Sequence, residues 1–328
     1  MWQTKRNIMN KPFLLKPSGK DYLWGGNRIN DDFGKDINLS PLAESWECSV
    51  HEDGPSFVAI GEHKGKSLKE VLDENPEYLG KKHKQLPILI KFIDADKDLS
   101  VQVHPNDEQA KKDNDNGKTE MWYVLDATKD AKLVYGFNKD CSSEEVRKSI
   151  QDGTLLDSLQ IVDVKKNDVF FIEPGTVHAI GAGSLIAEIQ ESSNLTYRLY
   201  DYDRVDKKGN KRELHIDKAL EVANLHSSSK PRQPMRVLKY ENGVARELLA
   251  RCKYFEVYRM LLNTERRQEV EYRSDSLSFR VLLCIDGCGV LSFGDESLNF
   301  YRGDCFFIPA DSYPIRLHGA AQFLDVRG

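Results

Sequence analysis

The stretch Asp98-Leu-Ser-Val-Gln-Val-His-Pro-Asn-Asp107 decides how this chain is read. Alternate side chains of a β-strand share a face, so Gln102 and His104 point the same way. Two later stretches belong with it. Gly117-Lys-Thr-Glu-Met-Trp122 supplies the carboxylate of Glu120 after a polar loop, and Glu173-Pro-Gly-Thr-Val-His-Ala179 supplies His178 after a tight Pro-Gly turn. Imidazole and carboxylate groups brought from separate strands hold a divalent metal and leave positions open for substrate. The pattern predicts one metal ion, zinc, in a β-barrel pocket.

The chain of 328 residues is long enough for a sizeable core and two domains. A formal net charge of -5 gives no reason to expect nucleic-acid or membrane partners, though local cations can still meet an anionic substrate. No apolar run approaches the ~18 residues that span a bilayer. Residues 1–10 lack the apolar core of a signal peptide and read as a leader without structure. Six scattered cysteines without a Cys-x-x-Cys pair indicate a reduced, cytoplasmic protein. The expected partner is a small molecule, and the expected state is a monomer or weak homo-oligomer.

Residues 11–65 are rich in Gly, Pro, Trp and Asp and predict short strands and loops, with a tight turn at Trp24-Gly-Gly26. Ala43–Val50 alternates like a strand, with Glu44 on the Trp46 face as a solvated carboxylate at its edge. Ser67-Leu-Lys-Glu70 is a capping box that opens a helix. Leu86–Ile93 is a buried strand containing Lys91, which either snorkels to the strand end or is buried for an anion. Strands follow at 121–125, 132–136, 169–172 and 185–190, with a helix from Ser142 and another across 215–225. The charge-rich run 108–118 predicts a solvated, mobile lid or loop. Lys207-Lys-Gly-Asn-Lys211 reads as a hairpin-type turn, and Ser227-Ser-Ser-Lys-Pro-Arg-Gln-Pro234 as a linker. Beyond it come short strands at 255–262, 277–285, 289–293, 305–308 and 321–326.

One internal repeat stands out. Asp168-Val-Phe-Phe-Ile-Glu-Pro-Gly-Thr-Val-His178 is echoed by Asp304-Cys-Phe-Phe-Ile-Pro-Ala-Asp-Ser-Tyr313, with Tyr313 where the first copy has His178. The fold class expected is mainly β: two β-barrels, or paired jelly rolls, with a small helical portion, which the resemblance given below makes cupin-type. The first, 1–226, is catalytic and carries helical insertions at about 66–84, 105–117, 141–152 and 215–226. A linker spans 227–234, and 235–328 forms a metal-free cupin-like domain.

Pro-Gly-x-x-His after an apolar strand, with His and Glu upstream, is the cupin pattern. Leu99–Asn106, Gly117–Glu120, Pro174–Ala179 and Asn194-Leu-Thr-Tyr-Arg-Leu-Tyr-Asp201, in that order, resemble the type I phosphomannose isomerases, in their short bacterial form. That resemblance implies a zinc-dependent aldose–ketose isomerase interconverting mannose 6-phosphate and fructose 6-phosphate through an enediol or enediolate. It implies Gln102, His104, Glu120 and His178 as zinc ligands. Arg198 matches the family's active-site arginine, for substrate phosphate or the enediolate, and Arg204 a second cation for the phosphate. Lys91, Lys118 and Glu188 match catalytic pocket residues, and Trp24, Glu44 and Ser100 match substrate-binding positions.

The chemistry itself demands a base beside the reacting carbons, stabilisation of developing negative charge, and cations for the phosphate. Glu188 is a candidate base; a lysine or a metal-bound water remains open. Two rival readings are an Fe(II) cupin oxygenase, which favours histidines and a carboxylate without an amide ligand, and a non-catalytic sugar-binding cupin.

Overall fold

The computed structural model describes residues 10–206 and 208–328. The expected leader therefore lies outside the described residues but for Asn10, as does Lys207 of the expected turn. The fold is mainly β, with three sheets of ten, six and five strands.

The chain divides into two compact units, each assembled from separated segments. One comprises Ser18–Trp46 and Leu89–Pro234. The other joins Met235–Gly328 to Glu47–Ile88 and the segment ending at Pro17. Residues 47–88, which a contiguous reading assigns to the N-terminal domain, thus cluster with the C-terminal strands. Sequence order did not reveal this, because strand pairing across the chain decides it: Phe13–Lys16 pairs with Cys305–Ile308 and with Phe57–Val58.

In the first unit, the six-stranded sheet runs in the order Val169–Ile172, Glu120–Ala127, Ser184–Glu191, Ile88–Ala95, Glu44–Cys48, Ser18–Lys20. The five-stranded sheet runs Tyr197–Tyr200, Val101–Val103, His178–Ile180, Lys132–Phe137, Leu159–Asp163. The period of two assigns the faces. Ile93, Trp122, Val124, Phe170 and Ile186 from one sheet meet Leu133 and Ile180 from the other in a single buried cluster. The opposite face of the five-stranded sheet, with Val101, Val103, Val134, Ala179, Tyr197 and Leu199, packs on the helices Ser143–Gln151 and Ile216–Val222 through Val146 and Ala219. Residues alternating with that second set, namely Gln102, His178 and Arg198, are thereby turned inward.

Local signals explain the helices. Ser67 and Ser142 each accept a hydrogen bond from the N3 backbone while Glu70 and Glu145 reach back to the cap. Asn106 and Gln109 make a third such box, so part of the charge-rich run expected as a loose lid forms two helical turns, Asp107–Ala110 and Lys111–Asp113. Asp113 accepts from the Tyr197 hydroxyl at 2.6 Å and pairs with Lys218, and Lys112 pairs with Glu221 at 2.8 Å. A further short helix, Arg28–Phe33, follows the Trp24-Gly-Gly26 turn, where only strands and loops were expected.

In the second unit, the ten-stranded sheet surrounds a core of Met260, Leu282, Phe300, Phe306 and Phe323. The expected strands at 277–285 and 289–293 are one long strand, Arg280–Phe293, whose register shifts between Cys284 and Asp286. Gly287, at φ 80°, follows the shift and returns to register opposite Ala321, so the strand continues.

Candidate metal centre and its cavity

The three stretches that carry the candidate ligands are tied to one another through their backbones. The Gly175 N–H donates to the His104 carbonyl at 2.8 Å, and the Lys118 N–H donates to the Pro105 carbonyl at 3.0 Å. Gly175 sits at φ 87°, a conformation that a side chain disfavours, so the Pro-Gly turn is what lets the His178 strand start beside His104. Strand register completes the arrangement. His178 lies opposite Gln102, Gln102 lies opposite Arg198, and Glu188 lies opposite Trp122.

His104, Glu120 and His178 converge, with potential ligand atoms all within 4.8 Å of one another, and all three are buried. His104 Nε2 is 3.5 Å from Glu120 Oε2, and His178 Nε2 is 3.2 Å from Glu120 Oε1. Each ring is oriented from behind. His104 Nδ1 lies 2.9 Å from the Leu195 carbonyl and His178 Nδ1 lies 2.8 Å from the Thr176 carbonyl. A carbonyl only accepts, so Nδ1 carries the proton and the Nε2 lone pair faces Glu120 in both. The His104 Nε2 and both Glu120 oxygens are buried without a hydrogen-bond partner. Lone pairs aimed at one another in a dry site are costly unless a cation lies between them.

The fourth expected ligand, Gln102, presents its amide Nε2 at 3.4 Å from His178 Nε2, with Oε1 3.4 Å from Ser100 Oγ. Turning the amide by half a revolution exchanges these atoms, bringing the oxygen to the imidazoles and the NH2 to Ser100. The set then offers two imidazoles, one carboxylate and one amide oxygen, which suits a borderline divalent ion.

Gln102 and Lys118 also line a cavity of about 270 Å³. Of the other residues singled out in the sequence, Trp24, Glu44, Lys91, Ser100, Glu188 and Arg198 line it too. Glu44, expected as solvated, is buried, and its Oε2 accepts from Trp46 Nε1 at 2.7 Å. Lys91 does not snorkel: it is 4% exposed, with Nζ 3.2 Å from Glu188 and 3.7 Å from Glu44. Lys118 is equally buried, 3.1 Å from Glu120 Oε2. Two lysines thus face three carboxylates.

The titration behaviour follows. Burial pushes the His104 imidazole down to about 3, with Lys118 adding to the effect, and burial lowers His178 as well. Both rings are neutral. Burial alone would raise Glu120, but the charge of Lys118 beside it outweighs that effect and holds the carboxylate well below its ordinary range. Burial raises Glu188 despite the opposing charge of Lys91. Burial disfavours charge on Lys91 also, yet Glu44, Glu188 and Glu120 together hold it protonated.

A cationic group lines the same cavity. Arg198 donates from Nε to Ser100 Oγ at 3.3 Å and from Nη1 to the Glu213 carbonyl at 2.7 Å. Its pKa is lowered, first by burial and then by Arg212. Arg204 does not line the cavity; it pairs with Asp201 and turns its Nη1 to the Asp98 carbonyl. Arg212 does line it, gripped through Nε by Asp201 at 2.7 Å. The sequence reading missed Arg212 because it lies just past a turn, and only its charge marked it. Tyr22, Asn194 and Thr196 were missed as well.

A two-sheet β unit with a buried His–Glu–His cluster opening on a polar cavity defines a cupin-class protein with a candidate metal site. The model of the type I phosphomannose isomerase catalytic domain matches residues 13–139, and that of the mannose-6-phosphate isomerase cupin domain matches 245–327. A mannose-6-phosphate isomerase of Bacillus subtilis is 36% identical over 318 residues, covering 96% of this chain and 98% of the relative. One from Streptococcus mutans is 34% identical, covering 92% and 93%. The crystal structure of the mannose 6-phosphate isomerase from Bacillus subtilis superposes with a TM-score of 0.89 at 33% identity, covering 97% of this chain and 99% of that one. The chain belongs to the type I phosphomannose isomerase family.

Proposed function

We propose that this enzyme interconverts mannose 6-phosphate and fructose 6-phosphate, using one zinc ion held by Gln102, His104, Glu120 and His178. The observation that carries the reading is the buried cluster whose lone pairs face one another beside a cavity with its own arginines. A bound divalent cation there supplies Lewis acidity for the oxygens of the reacting carbonyl. It also offsets the excess of carboxylates over lysines around it.

The chain's own residues do the rest. Arg198 and Arg212 hold the phosphate, whose charge of roughly −1.5 to −2 suits a pair of guanidiniums of which only Arg212 is paired with a carboxylate, that of Asp201. Ser100 orients Arg198. Glu188 is the base: it takes the proton from C2 of mannose 6-phosphate and returns it to C1 while the hydroxyl proton of O2 passes to O1, and the reverse reaction retraces the path. Its raised pKa brings it toward working pH, where a general base is most effective. Trp122 Nε1, 2.9 Å from Glu188 Oε2, keeps that oxygen in place and leaves Oε1 toward Lys91. Lys91 and Lys118 steady the negative charge that develops on the substrate oxygens, and Trp24 and Glu44 shape the sugar pocket. Six scattered cysteines without a Cys-x-x-Cys pair fit a reducing cytoplasm.

A coupled assay for fructose 6-phosphate formed from mannose 6-phosphate, with and without chelator, tests this directly. Turnover abolished by chelator and restored by zinc is the expected result. Oxygen uptake and bound iron without isomerisation would overturn it in favour of an oxygenase. Binding of mannose 6-phosphate without turnover would make the protein a sugar-phosphate binder.

A further inference from the structure

The unit containing Met235–Gly328 carries its own cavity, of about 870 Å³. It opens on the inner face of the ten-stranded sheet. Its lining residues Tyr258, Arg280 and Asp325 continue the two-residue period of the core residues Met260, Leu282 and Phe323.

Strand register relates this cavity to the metal-ligating cluster. The sequence repeat aligns Asp168–Ile172 with Asp304–Ile308. In the first copy Ile172 pairs with Glu120, and in the second Ile308 pairs with Arg280. The next strand agrees. Gln190 lies opposite Glu120 with Glu188 two residues back, and Arg327 lies opposite Arg280 with Asp325 two residues back. Arg280 therefore occupies the station of Glu120, and Asp325 that of Glu188. The duplicated unit keeps an ionic centre at this place and inverts its leading charge.

That centre is well built. Arg280 Nη1 donates to the two Asp325 oxygens at 3.1 and 2.9 Å, and the buried Tyr272 hydroxyl donates to Oδ1 at 2.6 Å. The carboxylate engages only Nη1, leaving the Nε and Nη2 edge of the fork unclaimed by it. A buried ion pair is weak evidence for stability, since apolar residues of similar volume often serve as well. At the rim, Arg246, Arg251 and Arg327 sit in solvent-exposed pairs with Glu241, Glu256 and Asp275. Such pairs are worth little and exchange readily for an incoming anion.

We propose that this cavity is a second binding site, for a small ligand carrying a phosphate or carboxylate group, with the Arg280 guanidinium as its principal contact. Planar guanidinium forks match both oxyanions, and the volume lies in the range of small-molecule sites. The site is independent of the isomerase reading and stands or falls without it.

The test uses the full chain with Arg198→Ala, which removes the arginine assigned to phosphate in the first cavity. Inorganic phosphate and citrate are titrated separately by calorimetry. One of them binds at one site per chain, and which one distinguishes a phosphate ligand from a carboxylate ligand. Adding Arg280→Lys keeps a cation for Asp325 but removes the fork, and weakens that binding about tenfold or more with an unchanged melting temperature. Should Arg280→Lys fold poorly, Arg246→Ala with Arg251→Ala at the exposed rim serves instead and weakens binding severalfold. Absence of binding by both probes at millimolar concentration overturns the proposal. So does binding that a well-folded Arg280→Lys protein retains at full strength.

Discussion

His178 Nε2 stands 3.2 Å from Glu120 Oε1, with both side chains wholly buried and the far side of the imidazole held by the Thr176 carbonyl at 2.8 Å. The ring cannot turn away without abandoning that carbonyl, so the lone pair is committed to the carboxylate. His178→Ala removes one of the two proposed nitrogen ligands. Bound metal, measured by atomic absorption, should fall from one per chain to a trace. Activity should fall by more than the ~100-fold upper end typical of lost outer-shell partners. Full metal content in His178→Ala would refute the ligand assignment.

Lys91 is the cation shared by Glu44 and Glu188 inside the cavity wall. Lys91→Met leaves two buried carboxylates without it. Breaking a buried pair in this way costs about 3–5 kcal/mol, which urea denaturation should register as a lower midpoint. The Glu188 pKa should rise further, moving the acid limb of the activity profile toward higher pH.

Acid stability of the metal-free enzyme follows from the neutral histidines. His104 in the folded chain titrates near 3, against about 6.5 when unfolded. Between those values the unfolded chain binds the extra proton, so stability is complete above about 6.5 and is lost as the pH falls toward 3. The limiting slope is about 1.4 kcal/mol per pH unit for this ring, and the lowered His178 adds in the same direction. Chemical denaturation of chelator-treated protein at several pH values should show the decline. A flat profile from pH 7 to 4 would contradict it.

The arginines should separate kinetically. Charge-assisted hydrogen bonds are worth about 1.5–3 kcal/mol, so Arg198→Ala and Arg212→Ala should each lower kcat/KM for mannose 6-phosphate by roughly 10- to 150-fold. Arg204→Ala should do less, because Arg204 is outside the cavity and acts only by sharing Asp201 with Arg212. Equal losses for Arg204→Ala and Arg212→Ala would return Arg204 to the phosphate site.

Much of the site was legible because its stretches are short and periodic. Gln102 and His104 are two apart on one strand, and His178 follows a Pro-Gly turn whose geometry is local. Ser67-Leu-Lys-Glu70 and Ser142-Ser-Glu-Glu145 announced their helices through side chains that reach only three residues. Burial was harder. Glu44 read as solvated and Lys91 and Lys118 were undecided, because whether a charge is buried depends on partners that arrive from other strands. Glu188 lies nearly a hundred residues from Lys91 in the chain and 3.2 Å from it in space.

The sequence by itself determined the mainly β fold, the residue types of the candidate metal cluster, and the duplication that replaces His178 with Tyr313. These depend on alternation, turn chemistry and repetition, all of which act over a few residues. Only the tertiary structure decided that Arg212 enters the cavity while Arg204 stays outside, that residues 47–88 cluster with the C-terminal strands, and that Arg280 takes the station of Glu120. Those outcomes are set by which distant strands pair and in what register, and a one-residue slip turns every side chain to the opposite face.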